Sequence, residues 1–465
     1  MGHQSKYIIT YKIINRGVIK MRSKGLRRSI IVISFIIIII LSACSGKSSD
    51  STETFEDKPY KGETLNMIMD KDSGTTDLRD KWIPEFEKKT GITVNVELLP
   101  ESGYDTKLNL ALASGKEDYD VVRTGVKNWS QLVSSNWLMP LDEFYENSSE
   151  EYVDGFSDTL LNTLKVDGNI YSMPYSVGAD LLFYNKEMFE EVGLDPNNPP
   201  NDMEELLEYA EKLHHPDKNQ AGFVARGTRE GNQNSFSWLM MWLKNGGRWS
   251  DDSGEIQYTD ILNKPEAVKT LDQYKELMID YGPKGIENYG FDEAQQAMQQ
   301  GEAAMWLGAA QLGPALEDEE ESEIAGNVGY HKINGEGGED YVSGAVWGFS
   351  MLKSTQNEDA AWKLIQYLTS KEVQSEQVIS GAMGSPGRID VFEDEEVKDK
   401  INSEYAEALL DATEHTNPVY TPIIPEGDEI RGVMSSAISK VLTKDLNSED
   451  VLNKVNDDIK EILSD

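Results

Sequence analysis

From residue 62 onward, apolar positions switch between two periods. Leu65 to Met69 is a short apolar strand that ends in the turn-rich Asp70-Lys71-Asp72-Ser73-Gly74. Leu78, Trp82 and Phe86 recur every four residues, one face of a helix that Pro84 interrupts and Gly91 closes. Ile92, Val94, Val96 and Leu98 alternate with polar residues and predict a second strand. A helix over 105–113 and a strand over 119–122 follow. This strand–helix–strand–helix–strand order predicts parallel pairing and an α/β lobe, with ligand chemistry at the strand-end loops 70–74 and 123–129.

Further along, 168–194 reads as a strand pair with Pro174 and Gly178 between its apolar runs. A helix over 202–213 presents Met203, Leu206, Leu207 and Ala210. The stretch 222–249 is rich in glycine and aromatics, and 291–313 predicts a helix pair. The acidic run 317–323 predicts a solvated loop, 343–352 a strand, and 357–368 an amphipathic helix capped by Asn357. No repeat is visible, and the C-terminal 130 residues are largely helical.

The beginning of the chain obeys a different pattern. Arg22, Lys24, Arg27 and Arg28 precede an apolar run from Ile30 to Leu41 and then Ser42-Ala43-Cys44. The run falls short of the roughly 20 residues that span a membrane and has the layout of a secretory signal. Residues 1–43 are therefore expected to be a signal peptide, with Met21 the natural start and 1–20 outside the mature protein. Cys44 is the only cysteine, which excludes internal disulfides and cysteine-built metal sites. Leu41-Ser42-Ala43-Cys44 resembles the lipobox of bacterial lipoproteins, in which the thiol carries lipid. The polar residues 44–61 then form a flexible tether to the membrane.

Charge changes the picture again. Acidic residues outnumber basic ones 82 to 44, and eight of the basic ones precede Cys44. A body this negative repels nucleic acid and anionic membrane surfaces. Of the five histidines only His214 and His215 are close in sequence, and the pair reads as a helix end. No metal or cofactor is expected.

Several segments together match one family: "EFEKKTGITVNVE", "YDVV", "NWLMPLDEF", "IYSMPY…LLFYNKEMF", "QQGEAAMW" and "VWGFSMLKSTQNEDAAWKLIQYLTSKE". In order and spacing they resemble the family 1 extracellular solute-binding proteins, the receptors of carbohydrate ABC importers, over residues 62–465. "ARGTREGNQN", "GFDEAQQAMQQGEAAMW" and "IPEGDEIRG" look closest to the sugar and polyol receptors. The resemblance implies an α/β, two-lobe periplasmic-binding-protein-like fold of type II. Its lobes are discontinuous, 62–174 plus 346–385 and 178–343 plus 388–465, with a ligand cleft between them and hinge closure over the ligand. It also implies a non-enzymatic monomer on the extracytoplasmic face that captures a sugar, oligosaccharide or polyol and delivers it to membrane permease subunits. A surface-anchored glycoside-acting enzyme and a receptor for a non-sugar solute are the alternatives.

A sugar presents hydroxyls and apolar C–H faces, so its receptor needs aromatic plates with charged or amide groups beside them. Trp306, by resemblance a stacking residue, and Trp347, at the second expected crossing, are the candidate plates. Trp82, Trp238, Trp242 and Trp362 read as core, and Trp129 is a weaker candidate. Asp72 follows the first strand, where the family often places a hydroxyl-binding carboxylate, and Arg123 and Thr124 follow the third. Arg226 and Asn232 carry over from the polyol-type stretch, with Asn234 as the alternative; Arg388 and Glu426 carry over from "GSPGRIDVF" and "IPEGDE". Many relatives have a glutamate where this chain has Gly178 and an aspartate where it has Gly308. Asp180 is the candidate replacement, and the glycines imply room for a larger ligand.

Overall fold

The computed structural model describes residues 60–464 apart from 116–117, 126–127, 251–255, 336–341, 425 and 445. Cys44, the expected signal segment and most of the expected tether lie outside the described residues. The strands are β1 (Thr64–Asp70), β2 (Thr93–Leu99), β3 (Val121–Thr124), β4 (Lys165–Val166), β5 (Asn169–Ile170), β6 (Met173–Asn185), β7 (Met305–Ala309), β8 (Val328–His331), β9 (Val342–Met351) and β10 (Thr416–Asn417). One sheet runs β2-β1-β3-β9-β6-β7, with β8 on β6 and β10 on β9; β4 and β5 form a separate pair. β1 pairs in parallel with β2 and β3, whereas β9 is antiparallel to both β3 and β6.

Alternation along β1 divides its side chains between two layers. Leu65, Met67 and Met69 enter a core with Phe86, Trp362, Leu364, Ile365 and Val373, while Ile68 faces Tyr104, Leu108 and Val122 on the other side. Successive residues of a strand point to opposite faces, so one strand can be covered by helices on both sides. A larger core gathers β6 and β7 with Trp238, Trp242, Leu271, Ile438 and Leu452. The protein is thus a two-lobe α/β molecule in which β6 and β9 carry the sheet from one core to the other. Trp82, Trp238, Trp242 and Trp362 are all buried in these cores.

Three elements differ from the sequence reading. Pro84 does not break its helix: the chain widens into a π turn over Leu78–Trp82, and Pro84 sits in the first turn of the segment Ile83–Thr90, where no helical N–H is required. Gly91, at φ 76°, then closes it. The expected strand pair at 168–194 is one 13-residue strand followed by the helix Lys186–Glu191. Its pairing with β9 shifts register between Pro174 and Ser176, which accommodates the missing proline N–H. The second expected helix within 291–313 is strand β7, paired with β6; Met305 to Gly308 are buried, which erases the alternation that marks a half-exposed strand. Among the described residues no helix is long and apolar enough to cross a membrane.

Candidate functional site

Strand ends bring the site together. Arg123 stands near the end of β3 beside the loop that leaves β1. Its guanidinium lies 2.7 Å from Asp72 and 3.2 Å from Asp70, and its side chain is 4% exposed. The Tyr104 hydroxyl donates to the Arg123 carbonyl. Burial works against the Arg123 charge, but Asp72 and Asp70 outweigh it and hold its pKa above the ordinary arginine value. Asp72 also shapes the backbone beside it. Its Oδ1 accepts from the Thr75 N–H at 2.7 Å and caps the short helix Ser73–Asp77. Thr124 joins a buried hydroxyl cluster with Ser172 and Ser350.

These groups form one wall of a cavity of about 610 Å³. Arg226, Phe236 and Tyr420 face them, and Gln311, Phe291 and Trp347 lie along its side. Arg226 differs from Arg123. No acceptor among the described residues takes its guanidinium, which lies 5.6 Å from the centre of the Phe236 ring. Arg431 stands 5.7 Å from the same ring. Burial lowers the Arg226 pKa, offset only in part by Tyr420 and Tyr274. A desolvated cation facing a cavity is a hydrogen-bond donor awaiting a ligand oxygen.

Trp347 owes its place to two glycines. A Cβ on Gly125 would stand 2.6 Å from the pyrrole side of its indole, and one on Gly178 would stand 2.8 Å from the benzene side. The indole therefore lies over bare backbone at both ends and exposes the rest of its surface to the cavity. Gly178 itself lines the cavity, and the room that its missing side chain leaves is taken in part by Trp347. Gly308 is likewise covered, by Trp306 at 2.8 Å.

Of the other expected site residues, Asp72, Arg123, Thr124, Arg226 and Trp347 line the cavity, and the rest do not. Trp306 is 1% exposed and packs against Phe183 and Phe291 with ring centres 5.9 and 6.2 Å apart. Asp180 is fully buried, paired with Lys244 at 3.0 Å and accepting from the Ser343 N–H, so it cannot serve as a ligand carboxylate. Asn234 is buried against Ser435. Asn232 adopts φ 59° and reaches Asp428. Arg388 holds Asp390 at 2.7 Å and donates to the Tyr152 and Glu151 carbonyls between the Tyr152 and Phe156 rings. Glu426 precedes the helix Gly427–Thr443 without a capping side-chain bond and does not line the cavity. The sequence reading missed Tyr104, Phe236, Phe291, Gln311 and Tyr420. Gln311 lies just beyond the end of β7, a signal that was lost because β7 itself read as helix. Among the described residues no three His, Cys, Asp or Glu side chains cluster as metal ligands.

Comparisons with known proteins agree with this architecture. Residues 72–375 match the model of the bacterial extracellular solute-binding protein family. An erythritol/L-threitol-binding protein of Mycolicibacterium smegmatis is 25% identical over 386 residues, 76% of this chain and 78% of that protein. A solute-binding protein of an ABC transporter from Agrobacterium radiobacter, solved with ribitol, superposes with TM-score 0.76 at 27% identity, covering 87% of this chain and all of the other. Another from Thermotoga lettingae, bound to α-D-tagatose, gives 0.72 at 26% identity, covering 86% of this chain and all of its own. With the two-lobe sheet, the cavity between strand ends and the family match over most of its length, the chain belongs to the bacterial extracellular solute-binding proteins.

Proposed function

We propose that this protein is the receptor of an ABC importer for a sugar or polyol, held at the outer face of the membrane by lipid on Cys44. The observation that carries the reading is the cavity wall itself: the Trp347 indole laid over Gly125 and Gly178, with the Asp72–Arg123 pair on one side and the unpartnered Arg226 on the other. An indole face suits the C–H face of a polyhydroxylated ligand, and fixed charged groups suit its hydroxyls. The erythritol/L-threitol-binding relative and the ribitol- and tagatose-bound neighbours support a ligand of this class. The protein binds and releases its ligand unchanged, and closure of the two lobes presents it to the permease subunits.

Titration calorimetry of the mature chain against a panel of polyols, monosaccharides and oligosaccharides tests the reading. Saturable binding without product formation is expected, weakened in Trp347→Ala and Arg226→Ala. Turnover of a glycoside, or heat only with peptides, overturns it. For the anchor, Cys44→Ser is expected to move the protein from the membrane fraction to the medium; retention in the membrane removes the lipid from the proposal.

A further inference from the structure

We infer that the cleft takes two linked saccharide units, the second in an outer chamber beyond the cavity described above; the inference rests on the receptor reading and names its ligand class. The outer chamber also measures about 610 Å³. Ligand pockets of roughly 300–1,000 Å³ house whole drug-sized molecules, so either chamber alone is ample for one sugar unit. The two are not independent. Asp70, Asp72, Arg123, Phe291, Gln311 and Trp347 line both, so occupants of the two chambers would touch the same six residues. A molecule that continues from one into the other fits this arrangement better than two separate ligands, and the Trp347 indole lies where the units would join.

The outer lining supplies the chemistry of a hydroxylated occupant. It includes Ser73 from the start of the short helix Ser73–Asp77, Tyr175 and Ser176 from β6, Gln295 from the helix Phe291–Gln299, and Ser385. Ser385 is 1% exposed, and its hydroxyl has no hydrogen-bond partner among the described residues. The Arg123 Nε, on the shared wall, is equally buried and equally without a partner there. The Gln311 amide makes no hydrogen bond to the described residues, and its Oε1 would lie 3.4 Å from a Cβ on Gly178. Buried polar groups are nearly always satisfied, so an unsatisfied donor in the wall of a chamber marks where a ligand oxygen belongs. The hydroxyl of Tyr175 already donates to Gln377 at 2.9 Å, which leaves its ring as the apolar part of the lining.

Calorimetry on matched pairs tests the inference: sorbitol with maltitol, glucose with maltose, xylose with xylobiose. At least one two-unit member is expected to bind tenfold or more tightly than its single-unit parent. Ala382→Trp, which fills the outer chamber, and the milder Ser385→Ala should each cut that advantage at least threefold. Neither residue lines the inner cavity, so single-unit affinity should stay within twofold. If Ala382→Trp loses its native circular dichroism, Ser385→Ala decides alone. The inference is overturned if single units bind and no pair differs by more than twofold, or if the variants leave the advantage intact. Absence of binding by every member defeats the receptor reading itself, a distinct result.

Discussion

Trp347 and Trp306 sit on β9 and β7, both of which pair with β6, and each indole covers glycine backbone. Their surroundings differ in what lies opposite. Trp306 meets Phe183 and Phe291 and is sealed, whereas Trp347 is partly exposed and meets a cavity. Trp306 still bears on the cleft at one remove, because Phe291 stands between it and both chambers. The role of an indole here is set by whether aromatic rings or open space face it, not by its residue type or its strand.

The widest separation between the two should come from truncation. Trp306→Ala is expected to cost about 3–5 kcal/mol of stability by denaturant titration, the range for deleting a large buried aromatic. A cost below about 1 kcal/mol would mean that the residue is not sealed. Trp347→Ala should do the reverse, weakening ligand binding by more than about 1 kcal/mol while the unfolding midpoint stays near wild type. A smaller effect should follow from crowding the plate: Gly178→Ala pushes on the indole and is expected to reduce affinity by about 1 kcal/mol, at the low end of overpacking costs. In the Trp347→Ala background the same change should do nothing, since no ring remains to displace; equal losses in both backgrounds would separate Gly178 from Trp347.

The smallest effect concerns pH and belongs to the sealed side. Burial lowers the pKa of His331, at the end of β8, below the ordinary 6.5. The unfolded chain therefore takes the proton first as pH falls. The stabilisation is intact above about pH 6.5 and is lost as pH drops from there through the folded value. His331→Gln should flatten this part of the stability profile measured by thermal melts. Ligand affinity at the Trp347 plate should lack the His331 dependence over the same interval, and a shared slope would couple core and cleft.

Much of this was legible in the residues. The apolar run Leu65 to Met69 marked β1, the spacing of Met203, Leu206, Leu207 and Ala210 marked the helix Met203–Leu213, and strand-end position marked Asp72, Arg123 and Thr124. β7 was hidden because burial on both faces leaves no period to read. Asp180, Asn234 and Arg388 were indistinguishable from cleft residues for a chemical reason: a polar side chain satisfied by Lys244, Ser435 or Asp390 looks in sequence like one awaiting a ligand. Phe236, on an apolar helix, and Phe291, beginning another, carried only the signature of core.

The core beneath β1 borrows Trp362, Leu364, Ile365 and Val373 from nearly 200 residues beyond β6. While the chain is being made, that side of β1 has Phe86 and Leu141 early but stays only partly covered until those helices emerge. Those helices follow β1 by about 290 residues, so at typical elongation rates of about 5–20 residues per second the interval lasts roughly 15–60 s. Over that time the nascent chain carries apolar surface that only its last third can finish covering.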